Sequence, residues 1–188
     1  ETDKYVKIIT NPKFLPIRKP AYSGPFGENY NYMLTKSDRD LFSKAVNSAE
    51  LKRWTNARKL VDKVQNSLTR NFITWMYLKD RNSKSDFRFR AIFIRNNHTW
   101  PEISIIRSRA ERYANDGSMS SSEIIDWFSM FPPLSGPGLE ALANAYKEKS
   151  DFKKSEILAK KAWQNYNFTQ KEERRFLSSF GQVLSIED

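Results

Sequence analysis

Residues 131–168 read FPPLSGPGLEALANAYKEKSDFKKSEILAKKAWQNYNF, and the fold follows from how they are read. Pro132-Pro133 cannot continue a helix, and Ser135-Gly136-Pro137-Gly138 supplies a turn. Pro137 suits the first turn of a new helix, where its missing N–H has no intrahelical partner to lose. From Leu139 the apolar residues Leu139, Leu142, Ala143 and Tyr146 recur at helical spacing. After a break at Lys149-Ser150-Asp151 they recur again at Ile157, Leu158, Ala162, Trp163 and Tyr166. Two amphipathic helices with so short a connection lie antiparallel and share one apolar seam. One hairpin cannot cover that seam alone, so the reading requires stacked neighbours.

Helix-start signals recur near Ser37, Leu68, Pro101, Pro137 and Thr169, roughly 30–36 residues apart, a spacing that suits helix-pair repeats. The expected fold is all-α: a superhelical stack of antiparallel helix pairs, a tetratricopeptide-like α-solenoid, over 35–188. An extended arm over 1–34 precedes it. The arm holds Pro12, Pro16, Pro20 and Pro25 among Tyr5, Tyr22, Tyr30 and Tyr32, cannot sustain a helix, and is expected to strap onto the helical body through Phe14, Leu15 and Ile17.

Within the body, Ser37 reads as an N-cap for a first helix with Leu41, Phe42, Ala45, Val46 and Ala49 inward, and a second runs from Trp54 through Val64. A third, Leu68 to Lys79, is apolar on more than one side. After the polar break Arg81 to Ser85, the run FRFRAIFI from Phe87 is read as a fourth helix with Phe87, Ala91, Ile92 and Ile94 as its stripe. A strand is the competing reading. Trp100-Pro101 opens a fifth helix with Ile103, Ile106, Ala110 and Tyr113 inward and Arg107, Arg109 and Arg112 on its flanks and outer side. Ser120 with Glu123 caps a sixth holding Ile124, Ile125, Trp127 and Phe128. Thr169 with Glu172 forms a capping box for a ninth, with Phe176, Leu177 and Phe180 apolar and Gly181 as its stop. A solenoid ending on an unpaired helix has an uncovered last face, so a fragment lacking its next repeat is expected.

The chain carries 32 Lys and Arg against 22 Asp and Glu, for a formal charge of +10. That balance favours a polyanionic partner: nucleic acid, an anionic membrane face or a negatively charged cell-wall polymer. With no Cys, disulfide frameworks and thiolate metal sites are excluded. No apolar run approaches the roughly 20 residues that span a bilayer. A start at Glu1 without Met fits a mature chain after signal-peptide removal or a trimmed one equally well.

Catalytic and metal chemistry find little to work with. His98 is the single histidine, in a loop-like Asn-Asn-His-Thr setting, and neither a metal cluster nor a Ser-His-Asp triad can be built on it alone. Ser135 to Gly138 lacks the Lys and the spacing of a phosphate loop. Glu172 and Glu173 fall in the first turn of a helix, where the dipole accounts for them. Lys147, Lys149, Lys153, Lys154, Lys160 and Lys161 bunch around the central hairpin, and are read first as a solvated face and second as a polyanion groove. Arg112-Tyr113 could stack on bases or sugars, but aromatics at helical spacing are more often core. No catalytic, cofactor-binding or metal residue is assigned, and no cofactor is expected.

Three segments, FIRNNHTWPEISIIRSRAE, WFSMFPPLSGPGLEALANAY and AWQNYNFTQKEERRFLSSFGQVLSIED, resemble the N-terminal helical region of soluble lytic murein transglycosylases, especially those of alphaproteobacteria. The likeness covers Leu41 to Asp188. It implies export to the periplasm, an α-superhelix encircling the glycan path, and a separate C-terminal lysozyme-like domain that cuts between N-acetylmuramic acid and N-acetylglucosamine. The family's glutamate lies in a Glu-Ser dipeptide followed by a Gly-Leu-Met-Gln-type element. This chain has neither, so no catalytic residue carries over. The resemblance implies peptidoglycan glycan strands as partner and a scaffolding, glycan-guiding role. The alternatives are a stand-alone tetratricopeptide-like adaptor with a protein or peptide on its concave face and, third, a basic nucleic-acid binder.

Overall fold

The computed structural model describes residues 34–185. Of the arm expected over 1–34, only Leu34 is described, and it is buried; the rest lies outside the described residues. Those residues form nine α-helices and no strand: α1 Lys36–Glu50, α2 Trp54–Val61, α3 Ser67–Lys79, α4 Phe87–Asn96, α5 Ile103–Ala110, α6 Ser121–Met130, α7 Gly136–Glu148, α8 Phe152–Asn165 and α9 Gln170–Phe180. A 3-10 turn, Glu111–Tyr113, follows α5. The chain divides between Arg81 and Asn82 into two compact units.

In the first unit α1 packs against both α2 and α3. Its inner stripe is Phe42, Ala45, Val46 and Ala49, and Phe42 meets Phe72 of α3 edge-on at 5.7 Å between ring centroids. The first cap is Thr35, whose hydroxyl accepts the N–H of Asp38 at 3.0 Å, two residues earlier than the Ser37 expected. α2 ends at Val61 rather than continuing to Val64. Val64 is buried all the same, and Arg70 donates to its carbonyl at 2.7 Å.

The second unit begins with FRFRAIFI, which is helical. Asp86 accepts the N–H of Phe89 at 2.7 Å as the cap, and Phe87, Arg90, Ala91 and Ile94 are buried at helical spacing. Ile92, expected on that stripe, is exposed, and Arg90 takes the inward place. Phe87 joins Trp127 and Phe128 of α6 in an aromatic cluster, with Trp127 5.0 Å from Phe87 and 4.9 Å from Phe128. The fifth helix starts at Ile103 rather than at Pro101, after Glu102 in left-handed backbone. It ends before Tyr113, which is exposed, not inward.

α7 is buried continuously from Gly136 to Ala143, with α6, α8, α9 and the 3-10 turn against it. α8 turns a narrow face of Ser155, Ala159 and Ala162 inward, and these small side chains allow close approach. Phe176 and Phe180 of α9 close a core with Leu139, Ala143, Ala159 and Ala162. Ile157 and Leu177, expected in the apolar seams, are instead exposed.

The two tightest hairpins share one turn. After α1, Arg53 N–H bonds Ser48 O at 2.8 Å and Lys52 N–H bonds Ala49 O at 2.9 Å. After α7, Asp151 N–H bonds Tyr146 O at 2.9 Å and Ser150 N–H bonds Lys147 O at 3.0 Å. Both are Schellman closures, with the left-handed position filled by Lys52 (φ 56°) and Ser150 (φ 62°) where glycine is usual.

Candidate functional site

Three charged side chains of the described residues are buried, all in the second unit: Arg90, Glu111 and Glu140. Sequence periodicity identified none of them, and together they test whether this unit holds chemistry.

Glu111, 1% exposed, sits on the 3-10 turn beneath the Pro-Pro connector. Its carboxylate accepts the Leu134 N–H at 2.9 and 3.0 Å and the Ser135 hydroxyl at 2.5 Å, and Ser135 Oγ accepts the N–H of Gly138 at 3.2 Å. The charge thus lies over the first turn of α7, where free N–H groups and the helix dipole favour an anion. Gly138 makes room for it, since a Cβ there would stand 2.7 Å from Glu111 Cδ. Burial pushes the Glu111 carboxyl above its ordinary range, while the Ser135 hydroxyl, the Leu134 N–H and the charge of Arg107 pull it back. Arg107 in turn donates to Pro132 O at 2.5 Å.

A buried carboxyl with a raised pKa is how a general acid is often recognised. Here its hydrogen bonds run to the protein's own connector, and solvent scarcely reaches it. Its geometry is that of a clamp fixing the chain's entry into α7.

Glu140, fully buried on α7, accepts two hydrogen bonds from Arg175 of α9, at 2.8 and 2.6 Å. Arg90 donates to Ser83 O at 2.9 Å, Ser83 Oγ at 3.0 Å and Ser85 O at 3.1 Å. It also lies 4.3 Å from the centroid of the Tyr113 ring, so that ring is partly covered by a cation instead of being offered for stacking.

Of the residues weighed in sequence, His98 is exposed, with Nδ1 3.3 Å from Arg95 O. Glu172 accepts from Thr169 N–H at 2.8 Å and from its hydroxyl at 2.7 Å, the capping box expected. No group of His, Asp and Glu among the described residues could hold a metal ion. A pocket of about 110 Å³ is lined by Ala114, Ile124 and Ala141 together with Asn115 and Asn144. It is well below the roughly 300–1,000 Å³ of a ligand cleft. Its two amides also face each other, Asn144 Nδ2 donating to Asn115 Oδ1 at 3.3 Å.

The lysines around the central hairpin divide into two sets. Lys154 pairs with Asp151 at 2.7 Å, Lys160 with Glu156 at 3.3 Å, and Lys147 donates to Ser179 O at 3.0 Å. The ammonium groups of Lys149, Lys153 and Lys161 are exposed and make no side-chain hydrogen bond or ion pair with a described residue. Comparison with known protein families, characterised proteins and solved structures finds no match.

The sequence carried one overlooked signal for the buried acid. A helix opening Ser-Gly-Pro-Gly has no side chain at its third residue, which is where another element's carboxylate can approach backbone.

Proposed function

We propose that the chain is a non-catalytic helical scaffold of a periplasmic peptidoglycan lytic transglycosylase, guiding glycan strands toward a catalytic domain carried elsewhere in the protein. In this reading the hairpins are repeats of a tetratricopeptide-like stack, and the shared Schellman turn of α1–α2 and α7–α8 supports it. The single observation that carries the role is the division of charge. Buried charges are occupied in holding helices together, while Lys149, Lys153 and Lys161 face solvent without an ion pair to any described residue, available to the carboxylates of a peptide-bearing glycan. The three resembling segments fall on consecutive elements, α4 to the 3-10 turn, α6 to α7 and α8 to α9, which fits a repeated architecture.

The test is co-sedimentation with purified sacculi. Binding is expected at low salt and is expected to weaken as salt shortens the screening length toward about 10 Å at 0.1 M. No anhydromuropeptide release is expected. Binding that ignores salt, or release of anhydro products by this chain, would overturn the reading.

A further inference from the structure

The end of the α7–α8 hairpin combines features that the glycan reading does not use. Phe152, the first residue of α8, is 65% exposed, and Ile157 is 58% exposed. Lys153, Ile157 and Lys161 recur four residues apart, opposite the buried stripe of Ser155, Ala159 and Ala162, so Ile157 is central on the outward face with cations on either side. Lys149, Lys153 and Lys161 form no ion pair with an acid among the described residues. The α1–α2 hairpin, taken by itself, repeats the composition: Leu51 is 63% exposed beside exposed Lys52 and Arg53.

From these we infer that the α7–α8 hairpin end is a reversible contact for an anionic phospholipid surface, Phe152 entering the headgroup boundary while Lys149 and Lys153 meet lipid phosphates. One observation favours lipid over an acidic protein: at the three-residue turn Lys149 and Lys153 carry their charges on flexible stems before and after the exposed Phe152, an arrangement that suits an interface apolar on one side and anionic on the other. No helix among the described residues is long and apolar enough to cross a membrane, so the contact is interfacial.

The inference does not rest on the glycan reading, and its test uses vesicles without peptidoglycan. The chain is pelleted with phosphatidylglycerol–phosphatidylethanolamine vesicles and with phosphatidylcholine vesicles. Binding is expected only to the first. Phe152→Ser should weaken it roughly tenfold, from loss of apolar insertion. The pair Lys149→Gln and Lys153→Gln should weaken it by about fivefold per cation. Phe152 is exposed enough that these variants keep their helical circular dichroism. The emission of a Phe152→Trp variant should shift to the blue on anionic vesicles alone. Equal binding to both vesicle types, wild-type binding by Phe152→Ser, or an unshifted emission from Phe152→Trp would each overturn the inference; the second of these with a strong lysine effect would indicate a simple polyanion surface.

Discussion

Gly138→Ala is the sharpest test of the buried carboxylate, because two physical effects predict opposite signs. Within a helix, alanine is favoured over glycine by about 1 kcal/mol, so propensity alone makes the variant more stable. The structure predicts the reverse. A Cβ at 138 would lie 2.7 Å from Glu111 Cδ and 3.2 Å from its Cγ, and nearer still to Oε2. The carboxylate has no solvent to retreat into, being 1% exposed, and it is held by the Leu134 N–H and the Ser135 hydroxyl. Hydrogen bonds to a charged group are worth about 1.5–3 kcal/mol each. Weakening both without deleting either costs about 3 kcal/mol, and after the propensity gain about 2 kcal/mol of destabilisation remains. Followed by far-UV circular dichroism in urea, with a slope of about 2 kcal/mol per molar, the midpoint should fall by about 1 M. On a Glu111→Ala background the obstacle is gone, and the same substitution should be neutral or stabilising by up to about 1 kcal/mol. A Gly138→Ala protein with a raised midpoint would refute the close approach and the clamp with it.

Arg175→Ala should cost about 3 kcal/mol in the same assay, because Glu140 is fully buried and loses both its donors; replacing both residues with leucine should recover most of that loss, since a buried pair is often no more stabilising than apolar groups of its size. Ser150→Gly and Lys52→Gly should each stabilise by about 0.5–1 kcal/mol and raise the thermal midpoint, since each places glycine where φ is positive. Hydrogen bonds from Arg88 and then from Ser120 hold Glu123 down to about 2. A carboxyl held low contributes stability that is present above its ordinary value near 4.5 and is lost as pH falls through about 2. Glu123→Gln should therefore flatten acid unfolding over that window, and an unchanged acid limb would count against the Arg88–Glu123 pair.

Helix starts were legible where a cap is written locally. Ser120 with Glu123 and Thr169 with Glu172 form the capping boxes that the spacing indicated. The FRFRAIFI run is helical, with Phe87, Ala91 and Ile94 of the expected stripe buried, while the Asp86 cap and the inward Arg90 are structural findings outside that stripe. What was not legible depends on partners distant in sequence. Ile92 and Ile157 are apolar and at helical spacing, yet exposed, because each helix is covered over an arc narrower than its apolar content. Nothing local in the sequence marks Glu111 and Glu140, because their partners Leu134 and Ser135, or Arg175, come from 23, 24 and 35 residues away.

These buried charges also answer a problem that the apolar pattern leaves open. α7 is buried on almost every side, and its core-facing residues are mostly alanine and leucine, a surface that would accept a neighbour at several rotations with similar contact area. Glu111 fixes where α7 begins by gripping Leu134 and Ser135, and Glu140 fixes its rotation by offering one carboxylate toward Arg175 of α9. A wrong rotation would leave a buried carboxylate unpaired, at a cost larger than the differences among apolar packings. Hydrophobic periodicity in this unit therefore supplies helices and a seam, and two acids select which arrangement of them survives.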